Sequence, residues 1–164
     1  MHGPPRSADW WNPSGYLQDR RLGKYNRVKL EHTATLTYSS SMPRRVRQYV
    51  VQHHEGYGPE HWDLMIEQDG VLLTWRLERH PETLTDGPIP ATRIADHRTA
   101  YLTYEGPVSG GRGRVRIVDA GTVDMVRYDH DALRLVFAGR VLAGRCTLTR
   151  VATDDDTWLL SEDA

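Results

Sequence analysis

Two strand-like runs, His61 to Glu67 and Val71 to Leu77, flank Gln68-Asp69-Gly70. Asp and Gly tolerate positive φ, so Asp-Gly between two such runs marks a tight β-hairpin. The same texture recurs along the chain. Tyr49 to His54 has strand composition. After Gly106-Pro107, strand-like runs come at short intervals: Arg114 to Val118, Thr122 to Tyr128 entered through Ala120-Gly121, Leu133 to Phe137, and Arg145 to Thr149. No long amphipathic helical pattern interrupts them. Many short strands parted by Gly and Pro turns predict an all-β fold, a small closed or nearly closed antiparallel β-barrel with few short helical turns.

The barrel is expected over residues 42–153. Residues 1–41 keep neither a period of 2 nor one of 3.6. They hold Trp10-Trp11, Asn12-Pro13 and a polar stretch closing in Ser39-Ser40-Ser41, and read as an irregular N-terminal extension. Residues 80–96, with Pro81, Pro88 and Pro90, read as a loop. Residues 154–164, with Asp154, Asp155, Asp156, Glu162 and Asp163, read as a frayed acidic tail.

The formal net charge of −1 over 164 residues excludes a generally basic nucleic-acid coat. Arginines nevertheless cluster locally, at Arg44, Arg45 and Arg47 and at Arg112, Arg114 and Arg116. Such patches either bind phosphate or form a solvated strand face, and the sequence leaves both open. No apolar run approaches the ~18 residues that span a bilayer, and the N-terminus lacks an apolar signal core. Cys146 is the only cysteine, so a buried thiol is expected rather than a disulfide. A cytoplasmic protein with no membrane partner is the expectation.

The chemistry concentrates between His54 and Asp63. On an extended strand, residues i and i+2 point to one side, roughly 6.6 Å apart, so His61 and Asp63 converge. The turn formers between Glu55 and Glu60 bring His54 beside them. Two imidazoles and one carboxylate suit Mn²⁺, Zn²⁺ or Fe²⁺ and leave positions open for substrate. An isolated His near an Asp is more commonly an ion pair or a satisfied core contact, so the neighbours matter. His97 and Tyr101, four apart, share a face on either a strand or a helical turn. There an imidazole can meet a phosphate oxygen or protonate a leaving group. Ser109-Gly110-Gly111-Arg112-Gly113-Arg114 is a Gly-rich loop with two forked donors. It lacks the Gly-Lys-Ser/Thr ending of a Walker loop, and tight β-turns also want glycine. Neither a Ser-His-Asp elbow nor a dinucleotide fingerprint is present.

These pieces occur together in one family. From about Gln48 to Val151 the chain resembles the 3′-phosphoesterase domain of bacterial DNA ligase D, the end-joining ligase, and it is similar to small stand-alone relatives of that domain. The residues that carry the resemblance are Tyr49 to His54, His61-Trp62-Asp63, Asp69 to Trp75, Asp96-His97 with Tyr101, Tyr104-Glu105-Gly106, the turn into Val115, and Gly139 to Arg150. The resemblance implies a small β-barrel and a metal site of His54, His61 and Asp63, with Mn²⁺ favoured and Zn²⁺ the alternative. It implies that His97 and Tyr101 bind phosphate and assist the reaction. The implied activity is removal of 3′-phosphate, and of a terminal 3′ ribonucleotide, at nucleic-acid ends. DNA or RNA 3′ ends, and separate ligase or end-joining proteins, are the implied partners.

Three departures accompany the resemblance. The family usually places Arg two residues after the metal-binding Asp, where this chain has Met65. The gap between the two histidines is longer here. The family's N-terminal Arg-Asp and Glu elements find no match in residues 1–45. Arg112 and Arg93 are the expected replacements for the missing phosphate-binding charge, with Arg112 favoured by its flanking glycines. Two functions from different classes therefore stand: a metal-dependent 3′-phosphoesterase, and a non-catalytic metal-stabilised module that binds phosphorylated ends.

Overall fold

A computed structural model describes residues 46–151 and 156–163. The N-terminal extension expected over 1–41 lies outside the described residues. Nine strands follow in order: β1 Val46–Glu55, β2 His61–Gln68, β3 Val71–Leu77, β4 Ile89–Arg98, β5 Gly106–Pro107, β6 Arg114–Tyr128, β7 Ala132–Ala138, β8 Ala143–Arg150 and β9 Thr157–Glu162. Short 3₁₀ turns, Pro81–Asp86 and Thr99–Leu102, are the helical elements among the described residues. No helix among the described residues is long and apolar enough to cross a membrane.

The Asp69-Gly70 hairpin forms as its residues require. Asp69 (φ 51°) and Gly70 (φ 87°) both take positive φ, the conformation of a two-residue turn matched to strand twist. Gln68 then faces Val71, and the ladder runs unbroken to Trp62 with Leu77. Spatially the strands run β1-β2-β3-β4-β9-β8-β7-β6, and β6 pairs back onto β1 to close the barrel, with β5 added beside β6. Every pairing is antiparallel. Closure leaves no free edge among the barrel strands.

Alternate residues fill the interior. Tyr49 and Val51, Leu64 and Ile66, Leu73 and Trp75, Leu133, Leu135 and Phe137, and Cys146 and Leu148 belong to one buried core. Burial and the nearby carboxylates of Glu162 and Asp163 push the Cys146 thiol up to about 12, so it is an inert core residue. On the opposite face of β1–β3 a smaller cluster of Val50, Met65 and Leu72 is covered by Tyr101, Leu102 and Ile117.

Three local expectations need correction. Thr157–Glu162 is not a frayed tail but β9, paired with β4 and β8. Trp158 and Leu160 are buried there on alternate positions, and their burial outweighs the surrounding acids. The supposed loop over 80–96 contains a 3₁₀ turn and most of β4. Pro90 fits the strand because it faces chain just past the end of β3, where its missing N–H costs no interior ladder bond, while its carbonyl still accepts from the Glu78 N–H. The two runs 114–118 and 122–128 are one continuous strand, β6. Gly121 permits this: a Cβ there would lie 2.4 Å from the Ala138 carbonyl oxygen of β7.

One buried carboxylate ties the barrel together. Asp119 Oδ1 accepts the N–H groups of Arg140 and Val141, and Oδ2 accepts Leu142 N–H and the Tyr49 hydroxyl, at 2.6–3.1 Å. It thereby links β1 and β6 to the β7–β8 turn. Burial and the facing Asp119 raise the Tyr49 phenol well above its ordinary value, so Tyr49 serves as a donor. Asp119→Ala should cost about 2 kcal/mol, since several buried donors lose a charged acceptor at once. A shift of the denaturant midpoint at constant slope measures it.

Candidate metal centre

β1 and β2 present Gln52, His54, His61 and Asp63 on the face away from the core. His54 sits directly opposite His61, and Gln52 opposite Asp63. The reversal between the strands uses Gly56 and Gly58, both at positive φ. One ligating atom from each of His54, His61 and Asp63 lies within 4.8 Å of the others. His53 points to the other side, stacking on Trp62 at 5.2 Å and contacting Glu60.

Hydrogen bonds fix which ring nitrogens are free. His61 Nδ1 is 2.8 Å from the Pro59 carbonyl oxygen, and His54 Nε2 is 2.6 Å from that of Arg112. A carbonyl oxygen only accepts, so each of these nitrogens carries the proton. With both imidazoles neutral, the remaining lone pairs, on His54 Nδ1 and His61 Nε2, face each other at 3.1 Å. Two lone pairs so close repel unless a cation stands between them. Burial pushes the His61 imidazole below its ordinary value; Arg76 and His54 push the same way, against the Pro59 carbonyl and Asp63. His61 thus favours the neutral, ligating form.

Asp63 completes the argument. Its Oδ2 lies 3.7 Å from His61 Nε2, and its Oδ1 is buried without a hydrogen-bond partner. An orphaned buried carboxylate oxygen is costly. Ligands held about 2.1 Å from one cation sit about 3.0–3.5 Å apart. The two imidazole nitrogens, 3.1 Å apart, meet that requirement, and Asp63 Oδ2 stands just outside it at 3.7 Å from His61 Nε2. The donor set, two imidazole nitrogens and a carboxylate, fits a divalent cation of the Mn²⁺ or Zn²⁺ kind.

A cleft of about 650 Å³ surrounds these groups, and Arg76, Ile94, His97, Tyr101 and Arg112 also line it. His97 reaches the cleft through a β-bulge. Thr74 pairs with Ile94 but Leu72 with His97, so β4 carries an extra residue between them. A bulge reverses the alternation, which places His97 in phase with Ile94 rather than Arg93. Its Nδ1 is 2.9 Å from the Ala95 carbonyl oxygen, so Nε2 is the free nitrogen. The Tyr101 ring stands against it, with centroids 5.5 Å apart.

The two arginines expected to carry phosphate part company. Arg93 pairs with Trp75, its guanidinium 4.9 Å from the indole, and it bonds the Thr74 carbonyl and Asp96. It does not line the cleft. Arg112 does, but its guanidinium bonds Ser109 O at 2.9 Å, while its carbonyl holds His54. Sequence reasoning missed Arg76. It pairs with Asp63 across β2–β3 and places Nε 3.6 Å from Asp63 Oδ1. The signal was available, because the Asp69-Gly70 turn fixes the register that sets Arg76 opposite Asp63.

Gly113 seats the loop that supports His54. A Cβ there would lie 2.1 Å from the Glu55 carbonyl oxygen, and its φ is +76°. Gly113→Ala should therefore displace the Arg112 carbonyl from His54 and weaken metal binding about tenfold, the scale on which a ligand's hydrogen-bond partner matters. Titration calorimetry with Mn²⁺ reads this.

The sequence pattern of the DNA ligase D 3′-phosphoesterase domain matches residues 52–150. The chain belongs to the DNA ligase D 3′-phosphoesterase domain family. Its relatives include the multifunctional non-homologous end joining protein LigD of Mycobacterium bovis, 33% identical over 119 residues. That match covers 68% of this chain and 15% of the relative. The multifunctional non-homologous end joining DNA repair protein LigD of Mycobacterium tuberculosis matches to the same extent. LigD of Mycolicibacterium smegmatis is 26% identical over 127 residues, covering 68% of this chain and 16% of the relative. The chain thus spans about 15% of the length of the curated relatives it matches. Within the 3′-phosphoesterase family region lie every ligand of the candidate centre, the bulge that presents His97, and Arg76.

Proposed function

We propose that this protein is a metal-dependent 3′-phosphoesterase that removes phosphate from nucleic-acid 3′ ends. The observation that carries the reading is the convergence of His54, His61, Asp63, Arg76, His97 and Tyr101 on one cleft. His54 Nδ1, His61 Nε2 and an Asp63 oxygen would hold the cation, with Mn²⁺ favoured and Zn²⁺ the alternative. A divalent cation bound there supplies Lewis-acid charge to a phosphoryl oxygen. His97 offers Nε2 to the phosphate or to the leaving oxygen, and Tyr101 orients the imidazole. Arg76 brings the fixed positive charge that Met65 does not. Met65 itself is packed under Tyr101 and Leu102, where an ionised side chain would be expensive. Arg112 gives backbone support to His54, and its side chain can turn to phosphate by leaving Ser109. Arg93, held against Trp75, is assigned no part in phosphate binding.

The names of the relatives motivate a role in end joining beside a ligase, with DNA ends as the first substrate to test. Incubation with Mn²⁺ and a 3′-phosphorylated DNA end should release inorganic phosphate and leave a 3′-hydroxyl. Metal-loaded protein that binds such ends without release would overturn the enzyme reading. It would favour the binding module, for which the loss of the family's arginine at Met65 is the specific argument.

A further inference from the structure

Beside the cleft, across Tyr101, lies a second hollow of about 320 Å³, lined by Arg98, Tyr101, Tyr104, Pro107, Val108 and Ser109 among others. Tyr101 and Val108 border both spaces. Tyr104 is 40% exposed, yet it is held firmly. Its hydroxyl donates to the Pro107 carbonyl at 2.6 Å. Its own carbonyl accepts from Gln52 Nε2 at 2.7 Å, and the same amide donates to the Tyr101 carbonyl at 2.9 Å. Gln52 is buried on β1, two residues before His54. One buried side chain therefore fixes both tyrosines relative to the candidate metal centre. The two rings stand nearly perpendicular, with centroids 5.8 Å apart. The Arg98 guanidinium lies 5.8 Å from the Tyr101 centroid.

With its hydroxyl tied to the backbone, Tyr104 offers a ring face rather than a polar tip. A rigid, exposed aromatic in a hollow that a guanidinium also lines is an arrangement on which unpaired nucleobases stack. We propose that this hollow is a base subsite: the 3′-terminal nucleobase stacks on Tyr104, while its 3′-phosphate reaches past Tyr101 to the metal cleft. Arg98 meets the next phosphate along the strand. The inference rests on the phosphoesterase reading and narrows it, selecting a nucleotide end over a small phosphate ester. Stacking accepts every base, so the subsite reads the presence of a base and not its identity.

The test is fluorescence anisotropy, with Mn²⁺ present, on two single-stranded 3′-phosphorylated oligodeoxynucleotides. One ends in an ordinary nucleotide and the other in an abasic residue. The wild type should bind the first about tenfold more tightly, as one stacked base predicts. Tyr104→Ala should reduce its affinity for the first to that for the abasic end, and Tyr104→Phe should keep the preference. Equal wild-type affinity for the two ends overturns the subsite. So does a Tyr104→Ala variant that keeps the preference, or one that weakens both ends alike. Phosphate release is read separately. A wild type that prefers the base but releases no phosphate sustains the subsite and removes the phosphoesterase reading. One that cleaves both ends with equal KM retains that reading and removes the subsite.

Discussion

His61→Ala is expected to abolish stoichiometric binding of a divalent cation while leaving the barrel folded. His61 contributes the lone pair that faces His54 Nδ1 at 3.1 Å and lies 3.7 Å from Asp63 Oδ2, so it stands between the other two ligands. Losing only a hydrogen-bond partner behind a ligand costs about 10- to 100-fold in affinity. Removing the central ligand should exceed about a hundredfold. His53→Ala is the matching control. Its ring also has carboxylates nearby, Glu55 and Glu60, but its Nδ1 accepts from Arg116 and its Nε2 faces Glu60. Both nitrogens are spent in a hydrogen-bonded chain, so metal content should hold when His53 is lost. Elemental analysis of dialysed protein, with a thermal melt to confirm folding, makes the comparison. Unchanged metal content in folded His61→Ala would sink the ligand assignment.

The fold and the clustering of His54, His61 and Asp63 were legible because both rest on period-2 alternation and turn chemistry. Asp-Gly fixed a hairpin, and the i, i+2 spacing placed His61 and Asp63 on one face. The glycine-containing turn after Glu55 brought His54 opposite His61. What the sequence hid was a matter of parity and of masking. The extra residue in β4 reverses which side chains share a face, and nothing in Ile94-Ala95-Asp96-His97 announces it. Arg93, four residues before His97, therefore turns to Trp75 instead of the cleft. Acidic neighbours masked Trp158 and Leu160, and so concealed β9. Prolines at 88 and 90 masked β4 in the same way. Arg76 was different: its position follows from the hairpin register, but an arginine in an apolar run reads as an ordinary surface residue until the residue across from it is considered as a candidate ligand.

That partnership gives Arg76 a signature of its own. Its guanidinium is the fixed cation beside Asp63, 3.6 Å away, in a cleft where the phosphoryl group would sit. During transfer the phosphoryl oxygens carry negative charge, and a positioned cation that meets it lowers the barrier. Arg76→Ala should slow release of 3′-phosphate by at least about a hundredfold, or about 2.7 kcal/mol of barrier. Metal affinity should move the other way. Arg76 competes electrostatically with any cation bound to Asp63, so its removal should leave Mn²⁺ binding unchanged or tighter. Loss of turnover with retained or improved metal binding separates a phosphate-facing charge from a structural partner of Asp63. Arg76→Lys should recover part of the rate, since a point charge replaces a fork. If Arg76→Ala instead lost metal and activity together, Arg76 would be a support for the ligand, and Arg112 would remain as the phosphate-facing arginine of the cleft.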